Sequence, residues 1–182
     1  LLEPIQGEGG INDAPPGYLQ HARALCDAHG ALLIIDEVQT GLGRTGDLFA
    51  ISQAGISPDI LVLAKALGGG VVPIGACVMN ARAWSDTFGL RHSSTFAGNT
   101  LACQVAHAVL DELCADDGAL LRHVRERGAQ LEQIHRRLCQ RYPQLLSGFS
   151  GRGLMQGLRL AVNRHSFPAA FGTALGMLGE QG

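Results

Sequence analysis

The chain has 182 residues, 46% of them hydrophobic and 16% charged, with a formal net charge of -2 and a pI near 6.4. That length suits one domain, or most of one, with a real apolar core. The balanced charge excludes the electrostatic footprint of a nucleic-acid or membrane-surface binder, and no apolar stretch is long enough to span a bilayer.

The five cysteines (Cys26, Cys77, Cys103, Cys114, Cys139) are odd in number and form no CxxC pair. A disulfide or zinc framework is therefore not expected, and a cytoplasmic location is. Gly, at 25 residues, is about twice its usual share. The glycines cluster at 7–10, 41–46, 68–75 and 148–157, which points to tight turns and close backbone approaches. The opening Leu1-Leu2-Glu3-Pro4 lacks a basic region and an initiator methionine, so a segment of a longer protein is expected.

In chain order, residues 3–14 read as polar turns. A helix is predicted over about 16–29, with Leu19, Ala22 and Leu25–Cys26 as its apolar face and Gly30 as its stop. Ala31 to Ile35 is a short unbroken apolar run ending at Asp36, the pattern of a parallel strand buried on both faces. A Gly-rich loop at 41–46 and a short helix at 47–54 follow. Ile60–Leu63 and Gly75–Met79 are predicted as further buried strands, and 91–98 as turn. Asn99 is placed to cap a helix reaching about Cys114, with Leu101, Val105, Ala108–Val109 and Leu113 as its stripe. A second helix is predicted over about 118–140, ended by Pro143, and a glycine-interrupted strand over 152–160. The arginines between 122 and 141, diluted by Glu126 and Glu132, read as a solvated helix face. The histidines at 21, 29, 107, 123 and 135 suit surface or satisfied-core positions.

Lys65 is the only lysine; the other basic residues are thirteen arginines. A lysine amine can lose its proton and condense with an aldehyde, whereas a guanidinium cannot. Lys65 follows one predicted strand by two residues, and Asp36 ends another 29 residues earlier. In an open parallel sheet both would face the crevice at its C-terminal edge. An acid there also suits a helix cap. An amine and a carboxylate so placed match the needs of a pyridine aldehyde cofactor, one group capturing the aldehyde and the other keeping the ring nitrogen protonated.

Four ordered motifs carry a resemblance: Glu3-Pro4-Ile5-Gln6-Gly7-Glu8-Gly9-Gly10, Asp36 through Gly46, Pro58-Asp59-Ile60 through Gly70, and His92 through Asn99. From residue 1 to about 160 the chain resembles the class III aminotransferases, the pyridoxal-phosphate enzymes that act on ornithine, acetylornithine, putrescine or 4-aminobutyrate. The resemblance implies the aspartate aminotransferase fold (PLP fold type I), a three-layer α/β architecture around a mostly parallel sheet. It implies that residues 1–145 belong to the large cofactor domain and 146–182 begin a small C-terminal domain. It also implies pyridoxal 5'-phosphate as cofactor, an amino donor and a 2-oxo acid as substrates, and a homodimer sharing its active sites.

Residue by residue, Lys65 resembles the Schiff-base lysine that also shuttles a proton, and Asp36 the partner of the pyridine nitrogen. Val38 resembles the residue packed on the ring face, and Gln39 the amide near the phenolic oxygen. Thr95 resembles the hydroxyl that reaches the neighbouring subunit's cofactor phosphate. Glu3 resembles an acid of the cofactor pocket, and Glu8 the glutamate that adjusts the substrate side by pairing with a C-terminal arginine. Ordinary roles stand beside these: Val38 as core, Gln39 and Thr45 as turn-closing groups, Arg44 as a brace of the Gly-rich loop. The relatives' phosphate loop and stacking aromatic would precede Leu1, and their carboxylate-binding arginine would follow Gly182. Gly70-Val71-Val72-Pro73 has two residues between glycine and proline where relatives often have one. Racemases, a decarboxylase and an aminomutase use the same lysine and aspartate, so those reactions stay open, as does a segment inactive by itself.

Overall fold

A computed structural model describes residues 1–92 and 94–161; the expectations for Ser93 and for 162–182 lie outside these residues. Strands β1 (Ile5–Gln6) and β2 (Asn12–Asp13) form a small hairpin ahead of helix α1 (Tyr18–Ala28). Strand β3 (Ile34–Asp36) then pairs in parallel with β4 (Ile60–Leu63), Ile35 opposite Leu61. Leu2 adds a parallel bridge on the other side of β3, its N–H donating to the Ile34 carbonyl at 2.9 Å. Strand β5 (Ala76–Met79) completes the sheet antiparallel to β4. The sheet is thus mostly parallel, with an antiparallel edge: the link from β4 to β5 holds only a single 3-10 turn, Lys65–Gly68, and no crossover α-helix.

Strands β3 and β4 are packed on both faces, as their apolar runs require; β5, expected as a buried strand, leaves Cys77 and Val78 exposed because it is the edge of the sheet. On one face Leu19 of α1 packs with Leu33, Ile35 and Ile51. On the other, Leu63 meets Leu42, Leu67, and Ala106 and Leu113 of helix α3 (Thr100–Cys114). Ile35 has no exposed surface; burying such a side chain stabilises by roughly 1.5–3 kcal/mol. Asn99 caps α3, its Oδ1 accepting the Ala102 N–H at 3.0 Å. Helix α1 starts after Gly17 (φ 80°), and Gly30 (φ 65°) follows its end.

A short helix α2 (Asp86–Arg91), capped by Ser85, lies where no element was expected. Its six residues include Gly89, too few to show a helical period. Helix α4 (Ala119–Arg141) follows α3 and ends before Pro143. The expected strand over 152–160 is instead half of a hairpin, β6 (Leu146–Arg152) with β7 (Met155–Leu160). Gly148, Gly151 and Gly153 all have positive φ, so the glycines shape the irregular strand and its turn instead of interrupting a single strand. His135 is buried against Phe149 with Nδ1 unpartnered among the described residues, a core position but not a satisfied one.

Candidate active site

The strands bring their chemistry-bearing residues to one end of the sheet. After Leu63 the chain turns sharply: Lys65 has φ 46° and opens a single 3-10 turn, Lys65–Gly68, closed by Gly69 at φ 60°. The left-handed region costs a non-glycine residue on the order of 1–2 kcal/mol. Here the following residues hold it. Leu67 is buried against Ala106, and its N–H donates to the Ala64 carbonyl at 3.0 Å. The backbone is pinned while the Lys65 side chain is exposed, with no hydrogen-bond or ion-pair partner among the described residues. A strained residue at a strand end, bearing a free amine, is the form a functional lysine takes.

Lys65 lines a hollow of about 690 Å³ together with Val38, Gln39 and Arg44. Gln39 is positioned from the N-terminal motif: its Nε2 donates to Glu8 Oε1 at 3.3 Å. Gly7 makes room for it, since a Cβ there would lie 2.4 Å from the Gln39 Oε1. Glu3 in turn holds the Gly7 N–H at 3.0 Å. Asp36 and Glu3 border a second hollow, and Asp36 Oδ1 accepts the Val38 N–H at 2.9 Å. Thr95 sits exposed in the 95–98 turn and borders neither hollow. Lys65, Val38, Gln39 and Glu8 are therefore brought together, Asp36 and Glu3 face the neighbouring hollow, and Thr95 stands apart.

The far end of the strands is fixed by Asp59, which is 3% exposed. Its carboxylate accepts the Leu33 N–H at 2.8 Å, Arg23 at 2.7 Å and Asn80 at 3.1 Å, tying α1, β3, β4 and the residue after β5. Burial alone would raise the Asp59 carboxyl, but the Leu33 N–H, Arg23 and Asn80 together hold it well below the usual carboxylate range.

Residues outside the expected set also enter the site. Ile11 (φ 56°), Met155 and Gln156 line the Lys65 hollow. Gln156 Nε2 donates to the carbonyls of Gly128 and Gly153, clamping the β6–β7 turn to α4. In the sequence only a place beside turn glycines marks Ile11, and a single strand over 152–160 gives no sign that Met155 and Gln156 reach the site.

Comparison with known proteins identifies the family. A family model described as aminotransferase class-III matches residues 1–176. The chain belongs to the class-III aminotransferases. Its α/β architecture and mostly parallel sheet are those of PLP fold type I. This class-III chain is 43% identical to ornithine aminotransferase from Toxoplasma gondii, with a TM-score of 0.80 over 87% of this chain and 37% of that one. It is 42% identical to N-acetylornithine aminotransferase from Stenotrophomonas maltophilia (TM-score 0.76, 87% of this chain and 40% of that one). An amine transaminase from an uncultivated Pseudomonas species, solved in its PLP-bound form, is 37% identical, with a TM-score of 0.81 over 93% of this chain and 40% of that one. The chain thus spans about two fifths of the length of these relatives.

Proposed function

We propose that this chain is the central part of a longer enzyme that transfers an amino group between an amine or amino acid, omega-amino donors included, and a 2-oxo acid, using pyridoxal 5'-phosphate. The observation that carries this reading is Lys65, a free amine on a pinned, left-handed backbone, sharing its hollow with Val38 and Gln39. The donor types match the cofactor: the Lys65 hollow offers an amine for its aldehyde, the Gln39 amide for its phenolic oxygen and an apolar face at Val38, and the Asp36 carboxylate for its ring nitrogen lies at the border of the neighbouring hollow. When bound, the cofactor supplies the electron sink for a carbanion at the substrate carbon.

The chain's own residues do the rest. Lys65 would hold the cofactor by condensing its amine with the aldehyde, with loss of water, and when its Nζ is free it would serve as the base that takes and returns the donor's proton. Asp36 would keep a proton on the ring nitrogen through a charge-assisted hydrogen bond. The Val38 N–H steadies one oxygen of that carboxylate. Glu8 orients Gln39, and Glu3 fixes the loop that carries Glu8. Glu8 sits on the substrate side.

Residues 1–145 are read as part of a large domain and 146–182 as the start of a small one; the separate two-stranded sheet that opens at Leu146 supports that boundary. A homodimer with shared sites is supported by the exposed apolar residues near Thr95, with Phe96 82% and Leu101 67% exposed. Thr95 would then serve the cofactor phosphate of the second copy. We place the enzyme in the cytoplasm; no described helix is long and apolar enough to cross a membrane.

The test is product formation by the complete protein with pyridoxal phosphate and an amino donor. Turnover that requires a 2-oxo acid is expected. Turnover without any acceptor would contradict transamination and indicate a racemase, decarboxylase or aminomutase.

A further inference from the structure

Ile11 stands in a conformation that its side chain disfavours. Its φ of 56° lies in the left-handed region, where a β-branched residue is an outlier and glycine is at ease. Gly9 and Gly10 precede it, and a third glycine would complete the turn without strain. What isoleucine adds is a side chain, and its neighbours hold that side chain in place. The Ile11 N–H donates to the Gly7 carbonyl at 3.4 Å, and the Ile11 carbonyl accepts the Ser150 hydroxyl. Two residues on, Asp13 accepts the Gly151 N–H at 2.7 Å and Arg152 Nε at 3.2 Å. The turn between β1 and β2 is thereby strapped to β6. Beneath Ile11 lies a floor of glycines. A Cβ on Gly151 would come 2.7 Å from Ile11 Cγ2, and one on Gly157 3.1 Å from Cγ1. Branching at Cβ leaves the side chain few rotamers.

The place so fixed is a wall of the Lys65 hollow. Leu154 and Met155 extend that wall, while Val38 and Lys65 come from the segments that follow β3 and β4. A strained residue that its surroundings hold fast, at the edge of a site, points to a use for its side chain there. An apolar wall offers no hydrogen bond. It discriminates by volume, and a rigid one cannot retreat before a bulky ligand. Resting on the reading of Lys65 as the cofactor's anchor, we propose that Ile11 limits the bulk of the group carried beside the reacting carbon, admitting slender unbranched partners and excluding aryl-bearing ones. Ile11 is thus a specificity-determining residue, and the β6–β7 hairpin sets its position.

The test uses the complete protein loaded with pyridoxal phosphate and two probes that differ in bulk, methylhydrazine and benzylhydrazine. Either displaces the Lys65 amine from the aldehyde carbon: the carbon–nitrogen double bond to Lys65 breaks, one to the hydrazine forms, and Lys65 is left as a free amine. Cofactor absorbance follows the rate, and each rate is divided by that of free pyridoxal phosphate with the same probe. The benzyl-to-methyl ratio should rise about tenfold or more from wild type to Ile11→Ala, with an intermediate ratio in Ile11→Val. A ratio that stays the same in both variants would overturn the proposal. If both rates fell together with the melting temperature while the ratio held, Ile11 would only support the fold. If the wild-type protein takes up no cofactor at Lys65, the anchor reading fails, and the proposal with it. If it does and the ratio does not move, only the Ile11 assignment fails.

Discussion

Asp36 and Glu37 are consecutive, yet their carboxylates serve opposite purposes. Asp36 ends β3 half-buried at the edge of a hollow, with Oδ1 accepting only the Val38 N–H. Glu37 has no exposed surface and accepts three hydrogen bonds: from Thr40 Oγ1 at 2.7 Å, Ala50 N–H at 3.0 Å and Ile51 N–H at 2.7 Å. One acid is available for chemistry; the other anchors the loop that follows the strand to the 3-10 turn at Ala50–Ala54.

Substitution should separate the two roles. Asp36→Asn keeps shape but loses charge, so it should fold normally and lose roughly a hundredfold in kcat, about 3 kcal/mol of barrier. Glu37→Gln replaces a charged acceptor and puts an amide group where two N–H donors already point, costing about 2 kcal/mol of stability. Urea denaturation and single-turnover kinetics with an α-deuterated donor read both. A variant at 36 with full rate, or one at 37 with full stability, would contradict the division. Glu37 lines neither hollow, and its complete burial is the reason a loss of stability, not of rate, is expected there.

Asp59 gives the fold a defined acid sensitivity. Its folded pKa is depressed, so its stabilising contribution is fully present above the unfolded value of about 3.9 and is lost as pH falls toward the folded value. Wild-type Tm should therefore fall more steeply below about pH 4 than that of Asp59→Asn. At neutral pH the variant should be less stable by about 2 kcal/mol, from loss of charge-assisted bonds to Arg23 and Leu33. Parallel Tm–pH curves would show that Asp59 is not the source.

Gly128 lets α4 touch the hairpin turn backbone to backbone. A Cβ at Gly128 would lie 2.7 Å from the Gly153 Cα and carbonyl oxygen, and neither can move aside as a flexible side chain would. Gly128→Ala should cost about 1–3 kcal/mol despite the better helix propensity of alanine. It should also shift Gln156, whose amide bonds both glycine carbonyls. An unchanged or higher Tm would show that the hairpin is free to retreat.

What the sequence disclosed followed the range of the interactions. The β4–Lys65 segment was legible because an apolar run, a lone lysine and a glycine cluster lie side by side. Asn99 was legible because its cap reaches only to Ala102. The β6–β7 hairpin was not, because glycines at positive φ read as breaks in a strand when they in fact shape its turn. The burial of Glu37 depends on N–H groups 13 and 14 residues away, and the bracing of the Arg44 carbonyl depends on Leu154. No local pattern encodes such distant partners. The site's linear order was visible for the same reason that its division into two hollows was not.

The central claim is that Lys65 is the covalent attachment point. The complete protein should be incubated with pyridoxal phosphate, reduced with borohydride, digested and analysed by mass spectrometry. A pyridoxyl-phosphate adduct on the peptide bearing Lys65, together with its loss and the loss of turnover in Lys65→Ala, is the expected result. No adduct on that peptide, or a Lys65→Ala protein keeping more than about a tenth of wild-type kcat, would contradict the account.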